Sequence, residues 1–331
     1  MSATHPRAGA SAVTTDWRGR LAAATEKAPW IWAGLGATGL WVGLGVVAGR
    51  GMLDTMEATL QVGSFLVLVG IGQLLVISTG NGNIDLSIPS VMTLSSLVAL
   101  STADGADDRI IIGLLAGLGA GLAVGIVNVF IIFVLRIPPI VATLASGLFA
   151  QSAILRRATS STVAAPPRLR EFASGDFVGL PKMALLTLGF SVLAAVVLHR
   201  GVFGRHVFAL GQNKAATSRA GLPTTRTAAI CFLLSSQFAA LSGILLASYT
   251  GPTISLGTPY LLTSIAVVVL GGSLISGGRS TVAGLWTAMV MLNLIVTLVF
   301  VMQWNVAIRD IFQGLVIMGV LTAAGGKQRV A

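Results

Sequence analysis

The sequence predicts an all-α, polytopic integral membrane protein, a helical bundle with about ten transmembrane helices at roughly twenty residues each. Of the 331 residues, 54% are hydrophobic and only 10% are charged, and the mean hydropathy is +0.88. Soluble domains carry about a quarter charged residues, so this composition excludes an ordinary soluble fold. The net charge of +10 comes from cations placed singly between apolar runs. Such cations are typical of topology signals facing membrane lipid, so we expect no nucleic-acid partner.

Several kinds of catalytic chemistry are missing from the sequence. The lone cysteine, Cys231, lies in an apolar run, so the chain can form no disulfide framework or thiolate metal site. No lysine stands in a Gly-x-x-x-x-Gly-Lys context, the three histidines lack zinc-protease spacing, and there is no Gly-x-Ser-x-Gly elbow. We therefore expect a transport subunit rather than an enzyme, with no metal and no cofactor bound by this chain. Energy for uphill transport would come from another subunit.

The chain divides into two polar tails and one membrane domain. Residues 1–29 predict a cytosolic N-terminal tail, residues 30–323 the transmembrane domain, and residues 324–331 a basic cytosolic C-terminal tail. Trp30–Ala48 predicts the first span. Gly51–Gln61, which is mixed in character, is expected at the opposite surface before Val62–Thr79 crosses back.

The first polar stretch among the spans, Gly80–Ser90, predicts a broken helix. Its glycines interrupt the helix, and Pro89 suits the first turn of a new one. Irregular backbone at membrane depth is tolerated only against protein or a water-filled cavity, which makes this segment a candidate for the translocation path. The alternative is that Asp85 or Ser87 simply caps a helix at the cytosolic surface. The candidate path residues here are Asn81, Asn83, Asp85 and Ser87.

A second broken segment at 250–259 repeats the Ile-x-Leu-x-x-Pro spacing of residues 84–89. An odd number of predicted spans separates the two, so they face opposite sides of the membrane. Inverted repeats with paired broken helices are typical of transporters that bind substrate near the bilayer midplane. The polar residues of this segment could hydrogen-bond a substrate with many hydroxyls. They are Thr253, Ser255 and Thr258.

Glycines spaced four apart mark the predicted span Ile110–Leu135. Residues at this spacing share one face of a helix, where glycine allows another backbone to approach closely. We therefore expect these glycines to serve helix packing. They are Gly113, Gly117, Gly121 and Gly125.

The stretch Gly204–Pro223 is a hydrophilic island between two apolar spans. Asn213 predicts an N-cap, Lys214–Ala220 a helix of about two turns, and Gly221 its end. So short a helix is not stable alone in water and must be held by packing. The pattern fits a docking element for a soluble partner, although an ordinary cytosolic loop is also positively charged.

Three motifs in order resemble the permease subunits of ribose-type ATP-binding-cassette sugar importers, within the branched-chain amino acid/ribose permease superfamily. They are Gly-Asn-Ile-Asp-Leu-Ser at 82–87, Gly-Arg-x-x-x-Ala-Leu-Gly-x-Asn-x-x-Ala-x-x-x-x-Gly at 204–221, and Ile-Ala-Val-Val-Val-Leu-Gly-Gly at 265–272. The resemblance runs from about residue 55 to the C-terminus. It implies a bacterial inner-membrane location and a homo- or heterodimeric permease core. It also implies cytosolic ATPase subunits that hold ATP and Mg²⁺, and a periplasmic sugar-binding protein.

The resemblance further implies that the loop at 204–221 couples the permease to the ATPase. The residues that carry this motif are Gly204, Arg205, Gly211, Asn213, Ala216, Arg219 and Gly221.

The chain also departs from the family pattern. The family usually has glycine at Asn83 and Pro89, and an acidic pair where this chain has Leu261 and Thr263. These differences leave the substrate open. The favoured function is import of a pentose, hexose or related polyol. The alternatives are a branched-chain amino-acid or nucleoside permease, a secondary transporter driven by an ion gradient, and, least favoured, a membrane-embedded enzyme.

Overall fold

A computed structural model describes residues 30–48, 51–158 and 164–303, together with isolated positions up to 318. The described chain is almost entirely helical, and the predicted all-α membrane bundle is confirmed. The helices are α1 Ile31–Ala48, α2 Met52–Ser78, α3 Ile88–Ala103, α4 Ile110–Val129, α5 Pro139–Ala158, α6 Pro167–Ser174, α7 Lys182–Arg200, α8 Val202–Gln212, α9 Lys214–Arg219, α10 Thr224–Thr250, α11 Tyr260–Leu270 and α12 Val282–Val301. A 3₁₀ turn at Asp107–Arg109 precedes α4, which ends in a π-helical turn at Phe130–Val134.

Six of the described helices are long and apolar enough to cross a membrane, and three shorter apolar helices accompany them. The shorter helices are α1, α3 and α11. At 1.5 Å per residue, the 11 residues of α11 span only about 17 Å, which is too short to cross the hydrocarbon core. The predicted last span, 308–322, lies largely outside the described residues, as do the tails at 1–29 and 324–331.

Helix α2 begins earlier than the sequence predicted. Gly51–Gln61 was expected at the surface, but one continuous helix of 27 residues starts at Met52. Asp54 lies in the first turn, where the helix dipole favours negative charge. The Nε2 group of Gln61 donates a hydrogen bond to the carbonyl of Ala173 at 2.5 Å. The polar residues between Asp54 and Gln61 are therefore part of helix α2 and do not form a separate loop.

The core of the bundle forms around α2, in which all residues from Gly63 to Ser78 are buried. Helix α10 packs along α2, and α3 and α4 pack against α10. The peripheral helices expose large apolar side chains, among them Ile111, Leu115 and Phe149. Exposed apolar faces on helices of this length are suited to lipid or to another membrane subunit.

The segment before α7 folds into structure that the sequence did not predict. Helix α6 is followed by a two-stranded hairpin in which β1, Asp176–Phe177, pairs antiparallel with β2, Leu180–Pro181. Val178 and Gly179 form its turn with φ of 53° and 75°. Two positive φ values in a two-residue loop match the right-handed twist of a tight hairpin.

The bundle has two ends, which we name by the segments they carry. The "164–182 end" holds α6, the hairpin, the start of α2 and the end of α10. Gln61 of α2 donates a hydrogen bond to Ala173 of α6. Tyr249 of α10, Asp54 of α2 and Asp176 of the hairpin line one recess. The "202–221 end" holds α8, α9 and the residues that follow α2, since Gly278 donates to Ser78 there.

Candidate translocation and coupling site

Helices α8 and α9 form a compact pair at the 202–221 end. The side chain of Asn213 accepts a hydrogen bond from the backbone N–H of Ala216 at 2.9 Å, so it caps α9. Gly221 has φ of 76°, in the left-handed region that glycine adopts without strain. Thr217 Oγ1 donates to the carbonyl of Ala209 at 2.8 Å and joins α9 to α8. The short α9 is therefore held by capping and by its neighbour.

Helix α8 is an amphipathic element that the sequence analysis did not identify. Its buried side chains Val207 and Leu210 face the bundle, whereas Arg205 is exposed. The spacing of three between Val207 and Leu210 is a helical signal that was available in the sequence. Of the other motif residues, Gly204 is buried against the end of α7, while Ala216 and Arg219 are exposed on α9.

A glycine junction joins the helix pair to the first broken segment. A Cβ on Gly80 would lie 2.7 Å from the Gly211 carbonyl oxygen and 2.9 Å from that of Ser276. The backbone N–H of Gly278 donates to the Ser78 carbonyl at 3.1 Å. Three chain segments thus touch through backbone atoms, which leaves no room for side chains. A displacement of α8–α9 would be transmitted directly to residues 78–80.

An open cleft of about 850 Å³ adjoins this junction. The exposed Asn81 and Gly82 form one wall, and the cap residue Asn213 and Lys214 form another. The cleft is continuous with the surface of α9. The cleft and the exposed face of α9 therefore form one surface at the 202–221 end.

Asp85 is buried in a polar cluster and has three donors around its carboxylate. Oδ1 accepts from the backbone N–H of Ser87 at 3.0 Å and from Ser87 Oγ at 2.6 Å, and Oδ2 accepts from Ser235 Oγ at 2.7 Å. Ser87 is the N-cap residue of α3, but neither its side chain nor that of Asp85 bonds a helical N–H group. The simple helix-cap interpretation is therefore incomplete, because Asp85 ties the segment to α10.

The polar cluster extends from Ser87 into α4 and α5. Asn128 Nδ2 donates to Ser87 Oγ at 2.9 Å, and Ser146 Oγ donates to Asn128 Oδ1. Thr143 Oγ1 accepts from the backbone N–H of Leu86 at 3.0 Å. Sequence reasoning missed Asn128, Ser146 and Ser235, although an isolated polar residue inside an apolar run is a signal for such a network.

The second broken segment enters from the 164–182 end and reaches the first. Helix α10 ends at Thr250 and is followed by Gly251, which has φ of 91°, and α11 starts only at Tyr260. Between them the backbone N–H of Gly257 donates to Thr93 Oγ1 at 3.0 Å, and a Cβ there would overlap the backbone of Pro89. The second irregular segment therefore contacts the first turns of α3, the helix that directly follows the first irregular segment.

The predicted path residues occupy different environments within these two segments. Asn81 is exposed, and Asn83 is half-buried with its Nδ2 donating to Thr79 Oγ1 at 2.8 Å. Asp85 and Ser87 are buried in the polar cluster. The second segment exposes its polar side chains, which are not hydrogen-bonded to the first: Thr253, Ser255 and Thr258.

The glycine stripe lies on the buried face of α4. A Cβ on Gly117 would come within 2.7 Å of the Ser95 carbonyl oxygen and of Ile244 Cδ1. Along the stripe, Gly113 faces α3, Gly125 faces α10, and Gly121 faces both helices.

A bundle of apolar helices with two broken helices meeting inside it and a capped helix pair at one end defines a membrane permease. Comparison with known proteins specifies which kind. Residues 55–321 match the family model described as branched-chain amino acid transport system / permease component, and the chain belongs to this family. No solved structure matches the chain significantly.

Curated relatives cover most of the chain. The probable ABC transporter permease protein y4mJ of Sinorhizobium fredii is 34% identical over 239 residues, which are 71% of this chain and 70% of that protein. The autoinducer 2 import system permease protein LsrC of Enterobacter sp. strain 638 is 30% identical over 263 residues, 78% of this chain and 76% of that protein. LsrC of Salmonella paratyphi B is 30% identical over 280 residues, 82% of this chain and 79% of that protein. The chain is a multi-pass permease subunit of an ATP-binding-cassette importer.

Proposed function

We propose that this permease imports a monosaccharide or related polyol across the bacterial inner membrane, powered by a cytosolic ATPase that docks on α8–α9. The observation that carries the proposal is the glycine junction, where Gly211, near the end of α8, touches Gly80 of the broken segment. ATPase movement at the cleft would be passed through backbone contact to the start of α3. Closely packed segments tend to shift between two discrete arrangements and do not deform gradually. A small displacement at the glycine junction could therefore switch the translocation path between two conformations.

The charge of the two ends supports a cytosolic 202–221 end. Among the described residues, the 202–221 end carries cations and no carboxylate except the buried Asp85. In membrane proteins, loops rich in lysine and arginine usually face the cytosol. The start of α1 also lies at this end. Gly45, near the C-terminus of α1, contacts Met52 at the start of α2, which belongs to the 164–182 end. The N-terminus of α1 is therefore at the 202–221 end. The cations at this end are Arg136, Arg200, Arg205, Lys214, Arg219, Arg226 and Arg279.

The two broken segments are proposed to border the translocation path. They meet at Gly257 and Pro89 and offer hydroxyl and amide groups on both sides of the contact. Neither 80–89 nor 250–259 contains a lysine or arginine. A carboxylate-bearing amino acid would gain from a cation in the path, whereas a sugar needs several neutral hydrogen bonds, so the sugar class is favoured.

Uptake into ATP-loaded proteoliposomes tests the proposed function. The permease would be reconstituted with the ATPase and the substrate-binding protein of the same importer. Labelled ribose, xylose and glucose would be offered separately from labelled leucine. We expect uptake of a sugar that requires internal ATP and survives collapse of proton and sodium gradients. Uptake of leucine alone would contradict the substrate class. Ion-driven uptake without ATP would contradict the mechanism.

A further inference from the structure

Gln73 of α2 carries a buried amide that has no hydrogen-bond partner. The side chain is fully buried, and neither Oε1 nor Nε2 bonds any residue that the structure describes. Within the described ranges, it is the one side chain that leaves two buried polar atoms unpaired. Both atoms give up hydrogen bonds to water without replacement, so the amide disfavours this arrangement of the bundle. A group that offers both donors and acceptors would therefore bind to it favourably.

The glycines that precede Gln73 show where its side chain points. A Cβ on Gly70 would lie 3.0 Å from Val267 of α11, and one on Gly72 would lie 3.0 Å from the Cα atom of Ser235 in α10. In an α-helix, Gln73 projects about 60° from the direction of Gly70 and about 100° from that of Gly72, on the arc between them. Its amide therefore faces the space between α10 and α11.

This space lies beside both broken segments. Helices α10 and α11 are the two helices that flank the second broken segment, 250–259. Ser235, which Gly72 approaches, donates to Asp85 Oδ2 at 2.7 Å and so holds the first broken segment at the depth of Gln73. Helix α7 packs on the opposite side of α2. The amide of Gln73 is therefore directed toward the proposed translocation path.

We propose that Gln73 contacts the substrate during translocation, when α10 and α11 separate and uncover its amide. Nε2 would donate to one hydroxyl of the substrate, and Oε1 would accept from a neighbouring one. A hydroxyl is both a donor and an acceptor, so a pair of adjacent hydroxyls matches a carboxamide. The inference rests on the proposed function, because that function supplies the path and favours a substrate with many hydroxyls.

The buried amide also gives the path a preference between its arrangements. When the space between α10 and α11 is closed, the amide is unpaired, and when the substrate occupies that space, the amide is paired. A ligand shifts an equilibrium between two conformations by its difference in affinity for them. Pairing of Gln73 with a sugar or polyol therefore favours the open arrangement only when substrate is present.

Replacing Gln73 with an apolar side chain of similar shape tests this role. Gln73→Met removes the unpaired amide, so the melting temperature of the permease should rise by about 2 °C. In the reconstituted importer, the maximal uptake rate of labelled ribose, xylose or glucose should fall at least about tenfold, because two hydrogen bonds to the substrate are lost. The half-saturating sugar concentration should not change, since the binding protein determines it.

Ser95→Ala is the matched control. The Ser95 hydroxyl is also buried and without a partner among the described residues, but it faces Gly121 of α4 and not the space between α10 and α11. Its loss should leave the uptake rate unchanged. A role in packing alone predicts the opposite pattern for Gln73→Met, in which the melting temperature falls and uptake per folded complex is retained.

A thiol probe tests whether the space opens. In a Cys231→Ala background, Gln73→Cys in the complete importer should resist a small water-soluble methanethiosulfonate in one nucleotide state and react with it in another, nucleotide-free against vanadate-trapped. Full uptake by Gln73→Met, a lower melting temperature for that variant, or no labelling in either state would overturn the inference. Uptake of sugar by the unmodified importer would still leave the proposed function intact. If the unmodified importer took up none of the three sugars, both would fall.

Discussion

At the scale of single residues, the Asp85 side chain is buried and accepts three hydrogen bonds. Its two oxygens receive bonds from the first broken segment and from α10, and through Ser87 it reaches Asn128 in α4. Loss of these hydrogen bonds would leave buried donors unpaired. The carboxylate therefore holds the start of α3 against α10 directly and against α4 through Ser87.

Replacing Asp85 tests whether its role is to hold the segment or to contact substrate. Asp85→Ala should lower the free energy of unfolding by about 3 kcal/mol, because three donors lose their acceptor. Asp85→Asn keeps the shape and one acceptor oxygen and should cost less, and Ser235→Ala, which removes one donor, should also cost less. Thermal unfolding of the purified permease gives the order of stabilities.

Uptake per folded complex completes the test of Asp85. If the carboxylate only positions the segment, Asp85→Asn should retain uptake once the amount of folded protein is counted. Loss of uptake by Asp85→Asn at normal stability would instead show that the charge acts on the substrate. Asp108→Asn, on an exposed side chain at the opposite end, controls for loss of a charge as such.

At the scale of elements, the glycine stripe of α4 determines how closely three helices approach. Gly117→Leu should force α4 away from Ser95 and Ile244 and destabilise the permease by about 1–3 kcal/mol. Gly119→Leu is the matched control, because that glycine lies on the same helix with nothing within 4 Å of its added Cβ. The melting temperature in detergent should fall for the first variant only. Equal melting temperatures would show that the stripe does not limit packing.

The short α9 shows what local sequence can determine. Its cap at Asn213 and its glycine end at Gly221 follow the sequence prediction, because both depend on neighbouring residues alone. Helix α8 and the hairpin at 176–181 were not predicted. For α8, the spacing of Val207 and Leu210 was a helical signal present in the sequence. The hairpin turns at Val178 with φ of 53°, a conformation that β-branched residues rarely adopt, so turn preferences do not predict it.

At the scale of the whole molecule, composition and apolar runs were enough to predict the helical membrane bundle. They predicted only part of the candidate site. The break positions near Gly80 and Gly251 were visible because glycine and proline act locally. The hydrogen bond between Asp85 and Ser235 joins residues 150 positions apart, and the sequence around either residue does not indicate its partner.

The central claim is that α9 couples the permease to an ATPase, and replacing Ala215–Arg219 by a Gly/Ser linker of equal length tests it most directly. The replacement lies outside the apolar bundle, so membrane insertion and thermal stability of the permease should be unchanged, and these are the controls. In the purified complex, we predict loss of ATPase retention and of substrate-stimulated ATP hydrolysis. Full retention and full coupling with the linker in place would contradict the account.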